Sequence, residues 1–190
     1  WVCQTRGQTI FSLLKQLSTP KAEAQEVLNY IKKGKKYEYN TEEVVELPKE
    51  YQELATASTT SIIANKVRKY LYERGFTDND FIKYNVGYTT SGDYGGRIII
   101  PSYSESNRLN YFIGRTYEGA YFKYKNPETS KDIVFFENLI NWNQPIVLCE
   151  GAFDAIAIRR NAVPILGKNI SDALMKKIIT SSAQDIYIAL

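Results

Sequence analysis

The sequence predicts an α/β protein in which an antiparallel sheet precedes a smaller parallel sheet. Two runs rich in β-branched and aromatic residues, 97–103 and 108–117, are separated by a turn sequence, as in an antiparallel hairpin. After Pro145, short apolar runs alternate with segments of helical periodicity, which is typical of βαβ units with parallel strands. The chain order of these two patterns places the antiparallel sheet first.

Composition is that of a globular protein. Of the 190 residues, 44% are hydrophobic and 24% are charged. No apolar run is long enough for a membrane helix, and no signal peptide is evident, so we expect no membrane contact. The two cysteines, Cys3 and Cys149, are far apart, which argues against a disulfide framework and favours a cytoplasmic protein. The net charge of +3 does not by itself indicate nucleic-acid binding. Because histidine is absent, catalysis would depend on carboxylates, lysines, arginines, tyrosines or metal ions.

Helical periodicity dominates the first part of the chain. Apolar spacing predicts helices within residues 10–17 and 24–31. Residues 32–50 carry alternating basic and acidic blocks, which indicates a linker and a domain boundary. Helical spacing resumes over residues 63–71, and Gly75 is expected to end that helix as a left-handed cap.

The rest of the chain alternates between strand and helix patterns. A third antiparallel strand is expected from Ala120. The expected elements of the parallel unit are a strand at 146–150, a helix at 154–160, a strand at 162–167, a helix at 171–180 and a strand at 186–190.

Two carboxylates stand where the first parallel strand ends. Glu150 is its last residue, Gly151 is expected to let the backbone turn closely, and Asp154 falls in the first turn of the next helix. Function collects at the carboxyl ends of parallel strands, and two carboxylates there can hold a hard cation such as Mg²⁺. Asp154 alone is equally well explained as a helix cap favoured by the helix dipole. Cys149 is expected to be a buried, small apolar side chain.

The segment around these carboxylates resembles a known family. "VLCEGAFDAIAI" resembles the TOPRIM signature, a hydrophobic strand followed by EGxxD and a helix, and "ILGKNIS" resembles the second TOPRIM strand and its turn. TOPRIM domains occur in primases, topoisomerases, certain nucleases and recombination proteins. The resemblance implies a Mg²⁺ or Mn²⁺ site that contains Glu150, supported by Asp154. In the family the other ligands form a DxD pair, expected just after Leu190.

The block before it resembles the catalytic core of bacterial and phage DNA primases. The matching segments are "KYLYERGFTDNDFIKYNVGY", "GGRIIIPSYSESNRLNYFIGRTYEG" and "YFKYKNPETSKDIVFFE". The resemblance implies metal-dependent synthesis of short RNA primers from ribonucleoside triphosphates on a single-stranded DNA template, with a replicative helicase, fused or separate, as partner.

That resemblance also assigns roles to cationic and aromatic residues. The residues it places against nucleotide or template are Arg97, Arg115, Lys123, Asn126 and Lys168. Arginine suits bidentate phosphate contacts and lysine acts as a point charge. The alternative is that these cations are exposed strand residues that keep the sheet soluble. Tyr111, Tyr121 and Tyr124 can stack on template bases, although packing is the commoner role for each.

The N-terminal segment "WVCQTRGQTIFSLLKQL" resembles the end of a primase zinc ribbon. This implies that Cys3 is one Zn²⁺ ligand in the full-length protein, with its partner ligands outside this sequence. The expected organisation is the end of a zinc-binding domain with helices (1–33), a linker (34–58), a primase N-terminal catalytic subdomain (59–143) and a TOPRIM domain truncated before its DxD motif (144–190). We therefore expect an internal fragment, itself inactive, and its short loops are typical of a phage-encoded primase.

Two other hypotheses stay open from the sequence. One is a TOPRIM nuclease or topoisomerase, against which the primase-like segments between Tyr70 and Thr129 argue. The other is a catalytically inactive primase-like module that binds single-stranded DNA or a helicase. The presence or absence of Asp-x-Asp after Leu190 separates this last hypothesis from an enzyme.

Overall fold

The computed structural model describes residues 44–119 and 122–190, which form two sheets. The antiparallel sheet contains, in spatial order, β1 (Gln52–Glu53), β2 (Gly87–Thr89), β3 (Arg97–Tyr103), β4 (Leu109–Thr116) and β5 (Tyr124–Lys125). The parallel sheet contains β6 (Ile146–Cys149), β7 (Ala162–Pro164) and β8 (Ile186–Ala189), in the order β7-β6-β8. The predicted fold class, an antiparallel sheet followed by a parallel α/β unit, is confirmed.

The helices of the described residues accompany these sheets. They are α1 (Ile62–Tyr72), α2 (Asp78–Lys83), α3 (Ala152–Ile158) and α4 (Asp172–Thr180), with a 3₁₀ turn at Glu137–Leu139. Within the described parts of the chain, no helix has the length and apolar character that a membrane span requires.

Helix α1 forms where the apolar spacing predicted it. Ala64, Val67 and Leu71 are buried on one face, as their spacing along a helix requires. The Ser61 hydroxyl accepts a hydrogen bond from the Ala64 amide at 3.2 Å and so caps the first turn. Gly75 follows the helix with a φ of +79°, the left-handed conformation that favours glycine.

Strands β3 and β4 form the predicted hairpin and carry the centre of the antiparallel sheet. They pair from Arg97 opposite Thr116 to Tyr103 opposite Leu109, with a register shift between Ser102 and Tyr103. The third predicted strand is confirmed only as the short β5, which pairs with β4. Ala120 and Tyr121, where we expected that strand to begin, lie outside the described residues.

The antiparallel sheet extends further toward the N-terminus than the sequence indicated. Strand β1, inside the segment predicted as a linker (34–58), pairs with β2, and the Leu54 side chain that follows is fully buried. Arg68 on α1 holds this segment by donating to the backbone carbonyls of Leu54 at 3.0 Å and Ala57 at 2.6 Å. The sequence patterns did not predict β1, β2 or α2. The helices predicted before residue 34 lie outside the described residues.

The parallel unit follows the predicted order of strands and helices. Strand β6 is central and pairs in parallel with both β7 and β8. Helix α3 begins at Ala152 and ends at Ile158, so it starts two residues before its predicted beginning at residue 154 and ends before residue 160. The Ser171 hydroxyl caps α4 by accepting from the Leu174 amide at 3.2 Å.

One apolar cluster joins the two sheets. It contains Tyr111 of β4, Phe135 and Phe136 of the connecting segment, and Cys149 and Ile156 of the parallel unit. The connection is fixed by a buried hydrogen bond, because the Phe136 amide donates to the Ser102 hydroxyl at 2.8 Å. The carboxyl end of β6 is therefore held against the antiparallel sheet.

Candidate active site

Glu150 occupies the carboxyl end of the central parallel strand. It directly follows β6 and its side chain is exposed. Its backbone carbonyl accepts a hydrogen bond from the Leu166 amide at 3.1 Å, which joins it to the segment after β7. Among the described residues, no hydrogen bond or ion pair engages the Glu150 carboxylate. The carboxylate is thus available to a ligand at the edge of the sheet.

Asp154 is engaged in capping helix α3. Its Oδ2 accepts a hydrogen bond from the Gly151 amide at 3.0 Å. This contact is the one that the helix-cap alternative requires. Gly151 itself has a φ of −138°, which any residue can adopt, so this turn needs no left-handed conformation. A Cβ at Gly151 would instead lie 3.3 Å from Asp154 Oδ2.

Cys149 is buried, as expected for a small apolar side chain. Burial, assisted by the nearby Asp154 charge, raises the pKa of its thiol to about 12. The thiol is therefore protonated at neutral pH and is not a nucleophile there.

Arg115 connects the antiparallel sheet to the helix that follows Glu150. Its Nε donates to the Tyr70 hydroxyl at 2.8 Å, and an Nη donates to the Tyr124 hydroxyl at 2.5 Å. Its guanidinium carbon lies 4.5 Å from the centre of the Phe153 ring, within the range of a cation–π contact. Arg115, which the sequence predicts to bind phosphate, thus lies beside α3. That helix begins two residues after Glu150.

Arg74 belongs to the same cluster, although sequence analysis did not select it. Its guanidinium carbon lies 3.7 Å from the centre of the Tyr70 ring, and its side chain is exposed. The signal was present, because Arg74 stands four residues after Tyr70 at the end of α1 within a segment that matched the primase pattern. We refer to Tyr70, Arg74, Arg115, Tyr124 and Phe153 as the Arg115 cluster.

Arg97 is turned toward backbone atoms rather than toward the Arg115 cluster. Its guanidinium donates to the carbonyl of Phe122 at 3.2 Å and to those of Gly114 and Lys123 at 3.5 Å. These contacts hold the segment leading into β5 against β4. The half-buried Arg97 side chain thus has a structural role that the sequence did not indicate.

The remaining predicted residues are placed separately. Lys123 is exposed, with Nζ 5.9 Å from the Tyr124 ring centre, and it borders the Arg115 cluster. Asn126 Oδ1 accepts from the Gly114 amide at 3.4 Å, and so also secures β5. Lys168 is exposed in the loop after β7, where no contact joins it to the other predicted residues within the described chain.

Two of the predicted aromatic and zinc-binding residues lie within the described chain, and two do not. Tyr111 is buried and packs against Phe135, with ring centres 6.3 Å apart, which agrees with the packing role. Tyr124 is 43% exposed, and the Arg115 guanidinium carbon lies 5.3 Å from its ring centre. Tyr121 and Cys3 lie outside the described residues, and their roles stay predictions.

The chain is similar in sequence to known proteins. No protein-family model matches the chain. The chain is 26% identical to a DNA primase of Thermotoga maritima over 160 residues, covering 60% of this chain and 28% of the relative. It is 30% identical to an uncharacterized protein of Mycoplasma genitalium over 130 residues, covering 63% of this chain and 58% of the relative.

Solved structures of DnaG primases are similar in fold to this chain. A DnaG primase catalytic domain bound to ssDNA superimposes with a TM-score of 0.57 at 19% identity, over 68% of this chain and 55% of that one. The chain has the fold of a DnaG primase catalytic core. The Aquifex aeolicus primase, with its zinc-binding and RNA polymerase domains, gives a TM-score of 0.53 at 20% identity, over 63% of this chain and 41% of that one. The chain thus spans less than two thirds of each of these proteins.

Glu150 and Asp154 have the ligand chemistry that a hard cation prefers. The oxygen atoms of Glu150, and the Asp154 oxygen that is not needed for the cap, suit a hard divalent cation. Mg²⁺ takes about six oxygen ligands, several of them from water. The described residues contain no group of three or more potential ligand side chains, so further ligands would have to come from water, substrate or other parts of the chain.

Proposed function

We propose that this chain belongs to a DNA primase that makes short RNA primers on single-stranded DNA. The observation that carries the proposal is the meeting of the Arg115 cluster with helix α3, the helix that starts next to Glu150. This contact supports the proposal because, in the fold of a primase catalytic core, a cation and aromatic rings meet a helix that starts two residues after Glu150.

The cations in and beside the Arg115 cluster suit a triphosphate and a nucleic-acid backbone. Arg74 and Lys123 are exposed, and Arg115 is half-buried with its guanidinium oriented by two tyrosine hydroxyls. Orienting the guanidinium in advance reduces the entropy lost when it binds phosphate. We assign Arg115 and Arg74 to phosphate contacts and Lys123 to a point-charge contact at the rim. Lys168, in the loop after β7, would act as a further cation.

Arg97 and Asn126 act indirectly in this proposal. Arg97 donates to the backbone carbonyls of Gly114 and Lys123, and Asn126 accepts from the Gly114 amide. These contacts hold β5 in place. Since β5 carries Tyr124, both residues position that exposed ring for a template base.

Glu150 would hold a Mg²⁺ or Mn²⁺ ion. When bound, the cation would offset the negative charge that builds up as a 3′-hydroxyl attacks an α-phosphate and pyrophosphate leaves. Asp154 supports this site by fixing the Gly151 turn, which sets the direction in which Glu150 projects. The TOPRIM pattern, with a DxD pair after Leu190, is the proposed source of the other ligands.

The wider assignments follow from the same proposal. The primers would be built from ribonucleoside triphosphates, and a replicative helicase would deliver the template. Cys3 would contribute to a Zn²⁺ site in the full-length protein, and the short loops agree with a phage-encoded enzyme that works in a bacterial cytoplasm.

Glu150→Gln in the full-length protein tests the proposal. The variant keeps the size of the side chain but loses its charge, so primer synthesis should be lost while template binding persists. Glu73→Gln is the matched control, because Glu73 is exposed and its side chain makes no hydrogen bond or ion pair within the described residues.

Incubation with ribonucleotides, Mg²⁺ and a single-stranded template separates the alternatives. Short RNA made by the wild type and by Glu73→Gln, but not by Glu150→Gln, supports a primase. Shortened DNA would instead indicate a TOPRIM nuclease. Template binding without any product in the wild type would indicate an inactive primase-like module.

A further inference from the structure

Helix α3 is short and depends on tertiary contacts for its direction. It contains seven residues, too few to be stable without tertiary contacts. Its buried residues are Ala152, Ala155 and Ile156, of which two are small. Because Glu150 lies two residues before the helix, any rotation of α3 would change where that carboxylate projects.

Both ends of α3 are attached to the turn between α1 and α2. At the N-terminal end, Phe153 packs on Phe76 with ring centres 5.3 Å apart. At the C-terminal end, Arg159 adopts a left-handed conformation with φ of +53° and extends back to the same turn. There it donates to the Gly75 carbonyl and to Asp80 Oδ2, the latter at 3.1 Å.

The Asp80 carboxylate that accepts from this guanidinium is buried and is held by other hydrogen bonds. Its side chain is only 8% exposed, whereas that of Arg159 is 48% exposed. The same Oδ2 also accepts from the Thr77 amide and the Thr77 hydroxyl, both at 2.8 Å. A shielded carboxylate that is fixed by hydrogen bonds holds its cation more firmly than a mobile surface carboxylate does.

We propose that Arg159 is a positioning residue that fastens helix α3, and with it Glu150, to the turn between α1 and α2. That turn also carries Arg74 of the Arg115 cluster. One guanidinium therefore sets the position of the candidate metal ligand relative to the candidate phosphate-binding cations. The catalytic consequence rests on the proposed function, but the attachment of α3 does not.

Arg159→Asn removes the guanidinium without straining the backbone, because asparagine tolerates the left-handed conformation. Arg160→Asn is the matched control: Arg160 is the next residue, is also exposed, and its side chain makes no hydrogen bond or ion pair within the described residues. Arg159→Lys keeps a cation for Asp80 and should restore part of the effect. All three are made in the full-length protein.

Hydrogen exchange measures the attachment directly. We expect amide exchange in residues 152–158 to rise about tenfold in Arg159→Asn, with β3 and β4 unchanged and Arg160→Asn equal to the wild type. Unchanged exchange in α3, or an equal rise in β3 and β4, would overturn the inference.

Primer synthesis measures the consequence for Glu150. We expect kcat to fall about tenfold in Arg159→Asn with an unchanged KM for template, and to recover partly in Arg159→Lys. A wild-type rate in Arg159→Asn would refute a positioning role. If the wild type itself makes no primers, the proposed function fails, and the exchange experiment still decides whether Arg159 fastens α3.

Discussion

The guanidinium carbon of Arg115 lies 4.5 Å from the centre of the Phe153 ring, so a strand of the antiparallel sheet contacts the first turn of the helix that follows Glu150. Arg115 and Phe153 are 38 positions apart in the chain. The contact holds the Arg115 guanidinium near the edge of the parallel sheet. Two tyrosine hydroxyls orient this guanidinium. The relative placement of cation and carboxylate is therefore a property of the packing between the two sheets.

Replacing Arg115 tests whether the cluster acts through its geometry. Arg115→Lys retains the positive charge, but lysine cannot reproduce the planar stacking on Phe153 together with both tyrosine hydrogen bonds. We expect primer synthesis to fall more than tenfold and the free energy of unfolding to fall by about 1 kcal/mol. Synthesis assays and urea unfolding measure the two effects, with Arg160→Lys as the control. Full activity in Arg115→Lys would show that charge alone is sufficient.

Substitutions at Asp154 distinguish a helix-capping role from a role in supporting a metal ion. Asp154→Asn keeps an oxygen that can accept from the Gly151 amide, whereas Asp154→Ala removes it. If capping is its only role, Asn should keep wild-type activity and lose at most the charge–dipole contribution of about 0.3–1 kcal/mol. Ala should lose about 0.5–1.5 kcal/mol more, because it also loses the hydrogen bond. Comparing thermal unfolding with primer synthesis in both variants separates the roles. Loss of synthesis in a stable Asp154→Asn protein would assign the carboxylate charge to the active site.

Gly114 is expected to tolerate no side chain. A Cβ at this position would lie 2.5 Å from the Lys125 carbonyl oxygen, so β5 would have to move away from β4. We expect Gly114→Ala to lower the free energy of unfolding by about 1–3 kcal/mol and to weaken template binding by displacing Tyr124. Gly167→Ala is the control, because a Cβ there meets nothing within 4 Å. Equal stability of the two variants in denaturant titrations would contradict the close approach of β5.

Cys149 should be unreactive in the folded protein. Burial raises the pKa of its thiol from 9.0 to about 12, so the reactive thiolate is scarce at neutral pH. In a Cys3→Ser background, where Cys149 is the remaining cysteine, we expect slow alkylation of the native protein and fast alkylation after denaturation. Rapid alkylation of the native protein, followed by mass spectrometry, would show that this end of β6 opens.

The same shift predicts a loss of stability at alkaline pH. Above about pH 9 the unfolded state releases the thiol proton while the folded state keeps it, so the free energy of unfolding falls as pH rises toward 12. Cys149→Ala should show a smaller decrease between pH 8 and about pH 10.5 than the parent protein does. Parallel curves for the two proteins would indicate that Cys149 does not titrate differently on folding.

Local patterns were sufficient for the regular elements of the fold. The apolar spacing around Val67 predicted α1, because a helix buries residues that recur at its own period. The hairpin of β3 and β4 and the order of the parallel unit followed from equally local signals. Strands β1 and β2 were missed because two- and three-residue strands contain too little periodicity to be recognised.

The sequence by itself determined that Glu150 stands at the end of a buried strand and before a helix, since strand pattern, glycine and helical period are properties of neighbouring residues. Tertiary structure alone decided that Arg115 contacts Phe153, that Arg97 turns to backbone carbonyls, and that Arg159 reaches Asp80. The reason is physical: local spacing fixes which face of an element a side chain leaves from, but its partners depend on how distant elements pack together.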